Sequence, residues 1–146
     1  MSTLATPEPP VSPARGTRLV PTRIGTWSRS QIAYIQCPIW CTEDHADSPS
    51  ALEDISHYGE PDGMAVPSFL GDNDAHYSWW ARIECDPSSD DERMSAAHLI
   101  VGDESTFEAR ITVEMADQLA DDLIAFATAV RDMARVARVA NEADAG

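Results

Sequence analysis

The sequence predicts a small α+β domain: an antiparallel meander of three or four strands, covered by a long C-terminal helix and fastened by a Cys/His zinc knuckle. Three observations predict it. Residues 76–85, "HYSWWARIEC", alternate in polarity, and "AAHLIVGD" and "FEARITV" follow after short polar connections. From Thr112 to about Asn141 apolar residues step by three and four. Residues 37–45, "CPIWCTEDH", gather two of the 3 cysteines and one of the 4 histidines of the chain.

In chain order, residues 1–28 carry Pro7, Pro9, Pro10, Pro13 and Pro21, and their only acid is Glu8. This composition predicts a disordered, slightly basic tail. A single α+β domain is expected over 29–141, and a flexible C-terminus over 142–146. "RSQIAYIQC" is rich in β-branched and aromatic residues and reads as a first strand that delivers Cys37 at its end. In "DSPSALEDISHYG", Ser48 precedes Pro49, Ser50 and Glu53 stand at capping-box spacing, and Gly59 is a stop signal. A helix of about two turns, ending near His57, follows from that pattern.

The alternation of 76–85 puts Tyr77, Trp79, Ala81, Ile83 and Cys85 on one face, expected to be the drier, and His76, Ser78, Trp80, Arg82 and Glu84 on the other. Trp80 on the outer face is then a candidate partner contact. His76 and His98 open strands and read as surface or edge residues. In the last helix Thr112 is placed to cap, with Glu114 and Asp117 near the start and Arg131, Arg135 and Arg138 towards the end, as the helix dipole favours. Its stripe of Ala116, Leu119, Leu123, Phe126, Val130, Met133, Ala137 and Ala140 suits a sheet-facing surface, or a homodimer seam.

The chain has 146 residues, 25 acidic and 10 basic, for a formal net charge of -15. Such a field opposes unaided binding to nucleic acid and favours a basic protein partner. All the basic residues are arginine, for which we have no physical account. No window is apolar enough to span a membrane, and "MSTLATPEPPVSPARG" lacks the order of a secretory signal, so a cytoplasmic protein without membrane association is expected. In a reducing compartment a close cysteine pair is metal-binding or redox-active more often than bridged.

Zinc takes four ligands in a tetrahedron and favours thiolate with imidazole. Cys37, Cys41 and His45 supply three, and His57 is the natural fourth, giving C-x3-C-x3-H-x11-H, with Cys85 in reserve. Asp44 and Asp54 are near enough in sequence to orient a ligand imidazole. The competing reading is two buried thiols and an exposed histidine in an acidic loop, since free cysteine is among the most buried residue types. A redox pair is disfavoured because three residues, not two, separate the thiols. No G-x-S-x-G, P-loop or Rossmann glycine pattern occurs.

Cys37, Pro38, Trp40, Cys41 and His45, with His57 downstream, a tryptophan-bearing strand and the C-terminal "ITVEMADQLADDLIAFATAV", resemble an uncharacterised domain family of small actinobacterial and phage proteins. The resemblance spans about residues 34–134. It implies zinc at the C-P-x-W-C-x3-H motif and nothing about a substrate. The expected function is therefore a small acidic zinc-binding accessory or protein-interaction domain with one structural Cys2His2 zinc per chain. The alternative is a small zinc enzyme using Glu43 or Asp44 as general base.

Overall fold

The computed structural model describes residues 12–69 and 76–144. The expected tail is the first point of difference. Its residues 1–11 lie outside the described residues, but Thr17–Thr26 form strand β1, which pairs antiparallel with β2, Arg29–Pro38, through a two-residue turn at Trp27 and Ser28. Proline content hid the first strand of a hairpin whose second strand is the expected one. Pro21 is tolerated because the N–H groups of Arg23 and Gly25, at the same parity, point away from β2, to the carbonyls of His45 and Ser50 at 3.1 Å each. A proline on that side of the strand removes no ladder hydrogen bond. Gly25 has φ of 121°, and a Cβ there would meet the Arg29 carbonyl oxygen, so this position before the turn needs glycine.

The two-turn helix expected before His57 does not form. Ser50 is bound on both sides to β1, its N–H donating to Arg23 O at 3.0 Å and its carbonyl accepting from Gly25. That pairing holds the segment extended. What remains of the helix is one 3-10 turn, Leu52–Asp54, without a side-chain cap. His57 consequently lies on a strand, β3, His57–Tyr58.

The larger sheet has five strands. β5, His76–Cys85, is central, with β6, His98–Asp103, and then β7, Glu108–Ile111, on one side. β3 and β4, Asp62–Pro67, pair in turn with the other edge of β5. Between Tyr58↔Glu84 and Asp62↔Ala81, Gly59, Glu60 and Pro61 stand opposite only Arg82 and Ile83, a bulge that accommodates the proline. The "DPSSDDER" connection contains a short helix α1, Glu92–Ser95, capped by Asp91, whose carboxyl the Arg93 guanidinium holds down at about 2.

The alternation along β5 is as expected, but the coverage of its faces is not. Glu84, placed on the wetter face, is 4% exposed, whereas Trp79 on the drier face is 46% exposed. The reason is pairing across strands. Glu84 stands opposite His98, whose Nε2 is 3.3 Å from Glu84 Oε2, and Arg110 Nε of β7 donates to the same oxygen at 3.2 Å. His98, expected at the surface, is therefore buried. Partners on neighbouring strands make the burial of a charge tolerable. On the same face Trp80 is half-buried. Its Nε1–H donates to Asp103 O at 3.3 Å, and a Cβ at Gly102 would lie 2.8 Å from Cζ2 of its ring. The side chains of His76 and Tyr77 lie outside the described residues.

The chain divides into two compact units, 1–110 with the strands and 111–146 with the helix α2, Val113–Asp144. Thr112 caps α2 as expected, Oγ1 accepting from Met115 N–H at 3.3 Å. The helix runs through Asn141 to Asp144, three residues into the expected flexible end, so its arginines do not occupy the last turn. Residues 145 and 146 lie outside the described residues. No described helix is long and apolar enough to cross a membrane.

Candidate metal centre

Few described side chains are fully buried, and two of them are Cys37, at 0% exposure, and Cys41, at 2%. Cys37 is the penultimate residue of β2, opposite Arg18 of β1. Cys41 follows in the turn after it, where Cys41 N–H donates to Pro38 O at 3.0 Å. His45 is carried by the connection, and His57 by β3 of the larger sheet. The four donor atoms lie within 4.8 Å of one another. Thus the hairpin, the loop and the sheet each send ligand-type atoms to one point.

The distances suit a metal. His45 Nε2 is 3.6 Å from both Cys37 Sγ and Cys41 Sγ. A tetrahedral zinc with its usual bond lengths holds sulfur and nitrogen ligands about 3.6 Å apart. The imidazoles of His45 and His57 meet edge to face at 84°, their centroids 5.1 Å apart. No disulfide joins the cysteines. His57 is 3% exposed, and its Nδ1 is buried without a hydrogen-bond partner. A buried orphan nitrogen is costly unless something coordinates it.

Electrostatics prepares the imidazoles and holds back one thiol. Burial lowers the pKa of both His45 and His57. Glu43 and Asp44 oppose the shift at His45, while His45 adds to it at His57. Neutral imidazole is the form that binds metal. The Cys37 thiol is pushed up to about 11 by burial and then by the neighbouring Cys41, against a smaller lowering by Arg18. A metal must displace that proton.

The loop is positioned by residues that the sequence did not single out. The His45 carbonyl accepts from Thr22 Oγ1 at 3.0 Å and from Arg23 N–H at 3.1 Å, and Arg18 donates to Cys41 O at 2.9 Å. Thr22 is 1% exposed, a buried hydroxyl whose purpose is visible only once β1 is seen beside the loop. Asp44 and Asp54 do not have the orienting role expected of them. Asp44 Oδ1 accepts from Ala46 N–H at 2.9 Å, Asp54 is exposed on the 3-10 turn, and neither bonds an imidazole among the described residues. Cys85 faces His57 in the ladder but is outside the cluster, its Sγ donating to Ser95 O at 3.1 Å. A small cavity of about 180 Å³ touches His57, with Ile35, Leu52, Ile55 and Pro87 in its wall and neither Glu43 nor Asp44.

The sequence profile of a domain of unknown function, DUF6907, matches residues 18–139. The match begins within β1 and ends within α2, so it takes in nearly all of the strand that reads as tail. No curated protein and no solved structure matches the chain.

Proposed function

The chain belongs to the DUF6907 family, and on that premise we propose that it is a non-enzymatic protein-interaction domain whose Cys37, Cys41, His45 and His57 hold one structural zinc. The observation that carries this reading is the convergence of four protein donors from a hairpin, a loop and a sheet within 4.8 Å. Two thiolates and two imidazoles complete a tetrahedron and leave no position for water, the pattern of structural sites. Among the described residues Cys37, Cys41, Ile55 and Ile100 are the buried hydrophobic side chains, so a metal tie adds stability that the apolar core alone supplies sparingly. Elemental analysis of protein purified without added metal should find about one zinc per chain. A chain free of metal, and unable to take up zinc, removes the proposal.

Because Cys37 carries its proton at neutral pH, zinc binding releases it. Since two thiols are ligands and at least this one is protonated beforehand, affinity should rise about tenfold or more per pH unit around neutrality. Competition with a chelator at three pH values measures this, and a flat profile is incompatible with thiolate ligation.

The partner in this reading is a basic protein, drawn by a net charge of -15. Self-association through α2 belongs to the same proposal. Leu123, Phe126, Val130 and Met133 step by three and four along that helix and are exposed. Light scattering should show a dimer that Phe126→Glu dissociates without loss of helix. A monomer at every concentration rejects the seam.

A further inference from the structure

The face of the larger sheet that carries Trp80 has a concavity of about 650 Å³. It exists because of residue size. Gly63 and Ala65 of β4 and Ser78 of β5 leave its floor low, and Trp80, opposite Gly63, rises beside them. Glu104 and Glu108 stand in its lining near the β6–β7 turn, and Arg82 is the cation of the lining. The Arg82 guanidinium is already stacked, 4.3 Å from the centroid of Tyr58 and 5.6 Å from that of Trp80, and among the described residues no carboxylate pairs with it.

We propose that this groove receives an arginine or lysine side chain of a basic protein segment, against Trp80 and between Glu104 and Glu108. The inference rests on the basic-partner reading above and gives it a location. An indole face with carboxylates beside it is a cation site, since the ring quadrupole and the anions attract the same charge. Glu108 shares its charge with Arg110 at 3.6 Å, which leaves Glu104 as the freer anion. Arg82 offers donors to a main-chain carbonyl of the same segment. Trp80 is held in place by Asp103 O and the bare backbone of Gly102, so little conformational freedom is lost on binding. An anionic ligand would meet the two glutamates and the negative field of the whole chain.

Calorimetric titration of the full chain with the peptide Gly-Arg-Gly-Arg-Gly-Arg-Gly, and with its glutamate analogue, tests the site. Binding of the arginine peptide alone is expected, weakened about two- to fivefold by Glu104→Gln and at least as much by Trp80→Ala. Glu104 is exposed, so its variant reports on binding even where Trp80→Ala perturbs the sheet. Unchanged affinity in Glu104→Gln, with binding still sensitive to salt, rejects the groove and leaves the basic-partner reading in place. No binding by the native chain rejects both.

Discussion

Cys41→Ala is expected to purify without zinc and to lose hydrogen-exchange protection in β1, β2 and the connection 39–56, while β5 and β6 keep theirs. Three of four ligands seldom hold a structural zinc in competition with a chelator, and binding in such sites is worth on the order of 10 kcal/mol of apparent folding free energy. The loss is local because of where the donors come from. Cys37, Cys41 and His45 belong to the hairpin and its loop, and His57 alone belongs to the larger sheet. Without metal, direct ties across that boundary include Thr42 N–H to Tyr58 O at 2.9 Å and the Thr42 hydroxyl to the same oxygen at 3.4 Å. Two such hydrogen bonds contribute about 1 kcal/mol each.

His57→Ala should behave alike, since it removes the sheet's own contribution. His98→Ala is the control: a buried histidine of the same sheet, outside the cluster, whose loss should destabilise the protein but leave its zinc. Zinc retained in both Cys41→Ala and His57→Ala would show that the metal sits elsewhere. Protection lost evenly over the whole chain would contradict the latch between hairpin and sheet.

Glu84→Ala is expected to lower stability by about 3 kcal/mol without changing the zinc content. Glu84 is 4% exposed and receives both His98 and Arg110 on one oxygen. Removing it strands two donors. Arg110 is 42% exposed at its side chain and can turn to water, so the larger cost falls on His98, at 4%. His98 Nδ1 lies 3.0 Å from Ala96 O, which holds the ring in place and prevents it from swinging out to solvent. Urea titration with zinc present measures the loss. A change below about 1 kcal/mol would mean that the pair is hydrated in solution and that the sheet is held by other contacts.

These two sites were legible to different degrees. Cys37, Cys41, His45 and His57 could be named from residue type and spacing, because thiolate and imidazole are scarce in this chain and a tetrahedral metal needs four of them. Glu84 could not. Period-two alternation assigned it to the right face, but coverage of that face depends on His98 and Arg110, 14 and 26 residues away. The same limit applies to β1. Pro21 lowers strand propensity in any local window, and only the pairing of β1 with β2 and the loop shows that its missing N–H points where no ladder bond is needed.

What the amino-acid sequence determined alone is chemistry and period: the Cys/His cluster, the alternation of β5, the Thr112 cap and the stripe of α2. Each depends on residue types within a few positions of one another, so it survives without knowledge of the fold. What only the tertiary structure decided is placement. His57 became a strand residue because Ser50 bonds to β1, Asp44 turned to Ala46 instead of an imidazole, and the face of β5 expected to be wet closed over Glu84. Those outcomes follow from strand register and from the satisfaction of buried polar groups, which couple residues far apart in the chain and leave no trace in its local pattern.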